Sequence, residues 1–250
     1  MRSSLVTGIA AAAAFLLMET PTLAQTGEPL RGFVSINGGY QASSTDFRDS
    51  IVFTEFVEQG NVDSSYTVKS GPQLDIAGGA RVWRALGIGV GITRFSKSGQ
   101  ASVAGKIPHP FFFNQARSVE GEAGGLKREE LAFHIQAMAI VPGGERLSLA
   151  VFAGPSFFSV KQGIVQKLQY SQQYPYDTAT FSGVDTDTPS ESTIGFNAGA
   201  DVGYFFARHV GIGGVIRFSR ASVDFTSTDG ETLKADAGGV QAGAGLRLRF

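Results

Sequence analysis

His134 with Ser148 or Ser156 supplies the residue types of a nucleophile and its base. Such a pair cleaves esters or amides only when the two groups lie within hydrogen-bond reach and a third group orients the base. No GxSxG stretch is present, and His134 belongs to the alternating run "LAFHIQAMAIV", on its polar side. A structural histidine is therefore the preferred reading over a lipid hydrolase. The glycine-rich stretches "GIGVGI" and "GIGGVIRF" hint at a phosphate cradle. That cradle needs its glycines between a strand and a helix N-terminus; these alternate within apolar runs, where small size suits packing. Asp177, Asp185, Asp187 and Glu191 offer oxygen ligands for a divalent cation, but their spacing does not fit an EF-hand loop, and a solvated acidic loop is preferred. "IPHPFFFN" sets Phe111, Phe112 and Phe113 side by side in a loop. A contiguous apolar patch there would either pack locally or dock a hydrophobic ligand or partner. No catalytic, cofactor or metal site is read from the sequence.

A second set of polar residues recurs on one face of successive apolar segments. It comprises Asp75, Arg81, His134, Asp201, Arg217, Arg247 and Arg249, with Asn37, Gln136 and Gln241. Strand order sets Asp201 beside Arg217, and Arg247 and Arg249 fall near the chain end, where water would solvate them. Burying such charges requires partners, so they are expected to form a hydrogen-bonded plug, with a narrow pore as the alternative.

The elements that carry these groups are strands. Period-two alternation marks segments with two unlike faces. It runs through "VSINGGY", "QLDIAGGARVW", "LGIGVGITRF", "LAFHIQAMAIV", "IGFNAGADVGYF", "VGIGGVIRFS" and the terminal "VQAGAGLRLRF". "LSLAVFAGPSFFSV" is apolar on both faces, and Pro155 cannot donate to a ladder; a strand with a bulge near Pro155 is expected. Short connections at Arg84-Ala85, Pro142 to Arg146 and Ala207 to His209 alternate with long ones. The long ones run from Ala42 to Gly71, Ser96 to Glu130, Gln162 to Ser192 and Arg220 to Ala237. All long connections then lie at one end of an up-and-down sheet.

The chain has 250 residues, 33 glycines, no cysteine and a net charge of −1. A near-neutral balance speaks against nucleic acid as a partner, and the lack of cysteine excludes disulfides and thiolate metal sites. "MRSSLVTGIAAAAAFLLMETPTLAQ" has the form of a secretory signal, with small residues at Thr22 and Ala24 before Gln25. Cleavage between Ala24 and Gln25 leaves a short segment, 25–31, and a domain from 32 to 250.

Three features orient the strand faces. Lys69, Lys97, Lys106, Lys127, Lys161, Lys167 and Lys234 all avoid strand centres. The polar face is glycine-rich, as a narrow lumen requires. Aromatic residues gather near strand ends: Phe33, Trp83, Tyr204, Phe205, Phe206 and Phe250 at one, Tyr40, Phe95, Phe157 and Phe218 at the other. Two aromatic girdles and an outward apolar band are the pattern of a membrane barrel. Closure follows, because an open sheet edge in hydrocarbon leaves backbone groups unpaired. Arg94 has outward parity at a strand's loop end, where a charge is tolerated and could meet acidic head groups.

With the signal peptide, the alternating strands and "LRLRF", the chain resembles the small eight-stranded outer-membrane β-barrels of Gram-negative bacteria. The resemblance implies an all-β, closed up-and-down antiparallel barrel of about eight strands with four long external loops, integral to the outer membrane. It implies outer-membrane lipids as surroundings. It also implies that Leu246, Leu248 and Phe250 form the signal read by the barrel-assembly machinery. No activity follows from it. The role expected is structural or surface-interacting, without catalysis; a passive route for small or hydrophobic solutes is the alternative, and a lipid hydrolase comes third.

Overall fold

In the computed structural model, residues 32–42, 45–144, 146–226 and 232–250 are described. The signal segment, its cleavage site and residues 25–31 lie outside them. The chain forms β1 (Gly32–Ala42), β2 (Thr45–Glu55), β3 (Glu58–Val68), β4 (Gly71–Trp83), β5 (Leu86–Ile107), β6 (Arg117–Gly143) and β7 (Leu147–Gln162). It continues as β8 (Ile164–Gln172), β9 (Ala179–Asp187), β10 (Ser190–Phe205), β11 (Val210–Thr226) and β12 (Thr232–Arg249). Eight of these close into an antiparallel ring in the order β1-β4-β5-β6-β7-β10-β11-β12, and β12 pairs back onto β1. The seam is complete to the chain end: Gly32 and Phe250 exchange backbone hydrogen bonds of 2.8 and 3.0 Å.

Each ring member contains one of the alternating segments, because only a period-two pattern keeps unlike faces on opposite sides of a pleated strand. Ile36, Ile76, Ile88, Val90, Ile135 and Ile216 stand out from the ring. Phe196, Phe218, Phe157 and Tyr40 flank this apolar belt above, and Trp83, Tyr204, Phe206 and Phe250 below. A strand rises about 3.3 Å per residue, so at a tilt of about 40° the span from Leu86 to Phe95 covers about 25 Å, the height of a hydrocarbon core. A closed ring with such a belt is an integral membrane β-barrel, and it is the form that outer-membrane proteins take. Three aromatics leave their expected girdles: Phe33, Phe95 and Phe205 have inward parity, and Phe95 and Phe205 are buried. Arg94 does point outward, 3.9 Å from Glu129 at the upper rim.

The four long connections are not irregular loops. β5 and β6 continue upward as a paired ribbon to Ile107 and Arg117, and β11 and β12 likewise to Thr226 and Thr232. The β2–β3 hairpin adds to β5 along Asn61–Thr67, while β8 and β9 form a separate hairpin. Above the belt the same strands reverse their polarity. Phe47, Tyr66, Val103, Ile107, Val160 and Phe225 point inward and form one buried cluster. Ser102, Lys106, Arg220, Ser222, Asp224 and Lys234 point outward. An apolar interior and a polar exterior are what water demands.

Two irregularities adjust the ladders of the ring. Gly99 pairs with Leu126 but Gln100 with Gly124, leaving Gly125 as an extra residue at φ +77°. This bulge moves the inward set of β6 from odd numbers above it to even numbers below it. A smaller shift falls between Arg81 and Trp83. Pro155 makes no bulge: the β7–β10 register is unbroken through Phe196↔Pro155, and the β6–β7 register is the same on both sides of it. Pro155 merely interrupts the pairing toward β6 and faces outward.

Candidate functional site: a polar bore beneath an aromatic crown

An eight-stranded ring has an interior just wide enough to be filled by side chains, and here mostly polar side chains fill it, beside a small apolar cluster of Met138, Ala150, Phe152 and Val215. β4 and β11 bring Asp75 and Arg217 together at 2.6 Å, with both side chains almost wholly buried. Asn37 on β1 donates to Asp75 Oδ1 at 2.7 Å and accepts from Arg247. Arg247 on β12 also binds Asp201 on β10, at 2.6 and 3.1 Å. The expected neighbours Asp201 and Arg217 thus take different partners. The ladder sets Arg217 opposite Gly199 and Asp201 opposite Val215, and Arg217 reaches across the bore instead. Arg247 is buried and paired rather than solvated at the mouth, whereas Arg249 lies over the Phe205 ring at 3.9 Å and donates to Arg208 O at 2.7 Å. Arg81 joins no ion pair among the described residues, and its Nε is buried without a partner.

Glycine makes room for this network. A Cβ on Gly213 would meet Val202 O at 2.2 Å and Arg247 Nε at 3.0 Å, so no larger residue fits beside the Arg247 guanidinium.

His134 on β6 bonds to Ser156 Oγ at 2.7 Å and Thr93 Oγ1 at 3.0 Å. Asn197 links Ser156 to Gln136, with distances of 2.9 Å to each. The serine–histidine contact has the spacing of a nucleophile and base. Both residues are 0% exposed, however, and the second ring nitrogen meets a hydroxyl rather than an acid. Ser148 lies elsewhere on β7 and is not brought to His134.

A second polar layer, of which only Gln241 was expected from the sequence, caps the first. Arg128 Nε donates to Glu130 Oε1 at 2.6 Å, and Glu130 Oε2 accepts from Gly238 N at 2.9 Å and Gln41 Nε2 at 3.2 Å. Gln241 donates to Gln41 Oε1 at 2.9 Å, and Arg128 reaches Asp236 O at 2.6 Å. The long connection expected from Ser96 to Glu130 contains both charged members of this layer. The alternation Leu126, Arg128, Glu130, Ala132, His134 is the signal that they continue the inward face of β6.

The outer end is built differently. The turn 108–116 holds Phe111, Phe112 and Phe113 at 65%, 54% and 70% exposure. They are nevertheless placed. Phe112 lies 4.9 Å from the His109 ring, and Phe111 meets Tyr176 edge-on at 5.5 Å. Asn114 N donates to Glu58 Oε1 at 2.7 Å, tying this turn to the β2–β3 tip, where Phe56 and Val57 are exposed. Tyr174 is exposed beside Tyr176. Tyr176 and Asn114 hold positive φ, 74° and 60°, which costs on the order of 1–3 kcal/mol each and persists only where surrounding bonds impose it.

Between the β2–β3 and β8–β9 hairpins lies a cleft of about 1060 Å³. Its walls include Ile51, Val62, Ile107 and Leu168, and Tyr170 Oη donates to Glu55 Oε1 across it at 2.9 Å. Burial, and then this bond to a carboxylate, push the Tyr170 phenol up to about 12. Asp177, Asp185, Asp187 and Glu191 do not converge, and among the described residues no group of three or more acidic or histidine side chains could hold a metal.

No family model matches the chain, and no curated protein matches it by sequence. Several solved structures match by shape. The outer membrane protein OprG from Pseudomonas aeruginosa is 12% identical, with 90% of this chain and 98% of that one covered and a TM-score of 0.45. The outer membrane protease OmpT from Escherichia coli is 10% identical, with 93% and 100% covered and a TM-score of 0.48. Neisserial surface protein A is 12% identical, with 88% and 97% covered and a TM-score of 0.42. What marks the chain as an eight-stranded outer-membrane β-barrel is its own closed ring of pairings and the apolar belt around it.

Proposed function

We propose that the barrel is a closed, non-catalytic membrane anchor that presents a rigid outer β-structure, and that its aromatic crown engages a ligand or partner at the cell surface. The observation that carries this reading is a contrast in exposure. Arg217, Arg128 and His134 in the bore are at most 2% exposed, whereas Phe111 and Phe113 at the outer tip are at least 65% exposed. A filled bore leaves no route for solute. Exposed aromatics held in fixed positions suit binding, because little side-chain freedom remains to be lost. Hydrolysis is disfavoured because no substrate reaches the Ser156–His134 pair.

The terminal strand fits a second part of the proposal. Leu246, Leu248 and Phe250 all face outward, available to barrel-assembly machinery before the seam with β1 closes.

The test pairs two measurements on the purified protein. Planar bilayers should show no channel steps, and replacing Phe111, Phe112 and Phe113 by serine should abolish surface-partner binding in cells while leaving heat-modified gel migration intact. Channel steps that respond to Arg217 substitution would favour the pore instead. Turnover of phospholipid lost on His134→Ala would favour the hydrolase.

A further inference from the structure

The crown sits on a polar site that neither the bore nor the apolar cluster explains. His109 and Arg117 bracket the turn between β5 and β6, and their exposures are 4% and 6%. Arg117 donates to Gln172 Oε1 at 2.6 Å, Tyr176 O at 3.0 Å and Pro108 O at 2.8 Å. All three acceptors are neutral. Among the described residues no carboxylate pairs with this guanidinium, and its Nε has no hydrogen-bond partner. A buried cation without a counter-charge is costly. The other buried arginines described above, Arg128, Arg217 and Arg247, each have an acid at 2.6 Å.

His109 repeats the theme. Its Nδ1 accepts from Phe111 N at 3.1 Å and Phe112 N at 3.2 Å. An accepting Nδ1 carries no proton, so the proton is on Nε2. That N–H is buried and makes no hydrogen bond; the nearest acid, Asp177, stands 3.7 Å away, beyond bonding distance. His109, Arg117 and Asp177 wall one cavity of about 430 Å³, together with Gln115, Ser118 and Thr178.

We propose that this cavity binds the oxyanion group, carboxylate or sulfate, of a small ligand whose ring lies against Phe111 and Tyr176. The site supplies one fixed cation and one unused N–H on each of two buried side chains, with the Phe111 ring 6.4 Å from the His109 ring and Tyr176 tied to Arg117 through its carbonyl. Asp177 is 71% exposed at the mouth. It stands where the ligand's charge would sit, so it is the group the ligand displaces. The inference rests on the reading of the crown as a binding surface and names what part of that surface recognises.

The full-length protein in detergent is titrated calorimetrically with sodium sulfate, benzoate and glucuronate. These separate a bare anion from one carried on an aromatic ring or on a sugar. Saturable binding of benzoate or glucuronate, tighter than that of sulfate, is expected. Asp177→Asn removes a like charge 3.7 Å from His109 Nε2 and should tighten binding by about five- to tenfold. Arg117→Gln should abolish it, and Arg117→Lys should restore part of it. Asp177→Asn alters an exposed side chain, so its effect is readable even if Arg117→Gln disturbs the turn. Lack of saturable binding of all three probes by both wild type and Asp177→Asn overturns the proposal, as does equal affinity in a folded Arg117→Gln variant. If the probes fail while partner binding still depends on Phe111 to Phe113, the oxyanion site falls and the surface role stands.

Discussion

β11 carries two opposite patterns on one unbroken ladder. From Ile212 to Phe218 its outward residues are apolar and Arg217 lies inside; from Arg220 to Thr226 its outward residues are polar and Ala221, Val223 and Phe225 lie inside. The register with β12 does not shift between the two stretches. Strand geometry is therefore indifferent to medium, and only the side chains record where the lipid ends. In the lower region hydrogen bonds and ion pairs hold most of the interior, beside a small apolar cluster of Met138, Ala150, Phe152 and Val215, because most apolar groups face the acyl chains. In the upper region the hydrophobic effect does that work, as in a soluble barrel.

The difference predicts unequal responses to the same kind of change. The largest concerns the bore. Asp75→Ala strands the buried Arg217 and should cost about 3–5 kcal/mol, seen as a lower urea midpoint for unfolding from lipid vesicles. The double variant Asp75→Leu/Arg217→Met should recover most of that loss, since an apolar pair needs no partner. Next comes the outer surface. Val90→Arg places a charge in the belt and should cost roughly 2–4 kcal/mol in the same assay. Ala104→Arg, outward on the same strand but above the belt, should be near neutral. Equal costs would erase the boundary between the regions.

A smaller effect belongs to the junction. Gly125→Ala meets no atom within 4 Å, so its cost comes only from φ +77°, roughly 1–2 kcal/mol for a residue with a Cβ. It should loosen the upper ribbon first, detected as faster proteolysis of β5–β6 with the barrel still resistant. The smallest is Tyr170→Phe, which removes one bond to Glu55, about 0.5–1.5 kcal/mol. The Tyr170 phenol is raised in the folded state, from an ordinary 10.0 to about 12. Its contribution is thus complete below pH 10 and lost as pH rises toward 12. Hydrogen exchange of the β8–β9 hairpin should quicken over that window in the wild type and not in Tyr170→Phe.

Seven of the eight ring strands were legible, because lipid outside and polar groups inside impose a strict alternation; β7, apolar on both faces in sequence, was read as a strand only because its neighbours require one. Leu86, Ile88, Val90 and Ile92, with glycines between them, leave no other reading. The same parity set Asp75, His134, Asp201, Arg217 and Arg247 on the inward face, but it did not give their pairing, nor Arg128 and Glu130 above them. Arg217 finds Asp75 across the lumen, and sequence order reveals only neighbours along the wall. The upper strands were missed because their alternation has the opposite sense and weaker contrast. Ala101, Val103 and Ile107 against Ser102, Ala104 and Lys106 read as loop when judged by the belt's standard. His109 and Arg117 gave no signal at all, since the walls around Arg117 come from Tyr176 and Gln172, more than fifty residues further along the chain.

The boundary itself can be measured site by site. The chain has no cysteine, so single cysteines at Ile88, Val90, Ile92, Ser102 and Ala104, all on the even face of β5, can each carry a spin label in lipid vesicles. The first three labels should collide with dissolved oxygen and be shielded from a water-soluble nickel chelate, and the last two should show the reverse. A label at Val90 accessible to the chelate, or one at Ala104 shielded in lipid, would contradict the account.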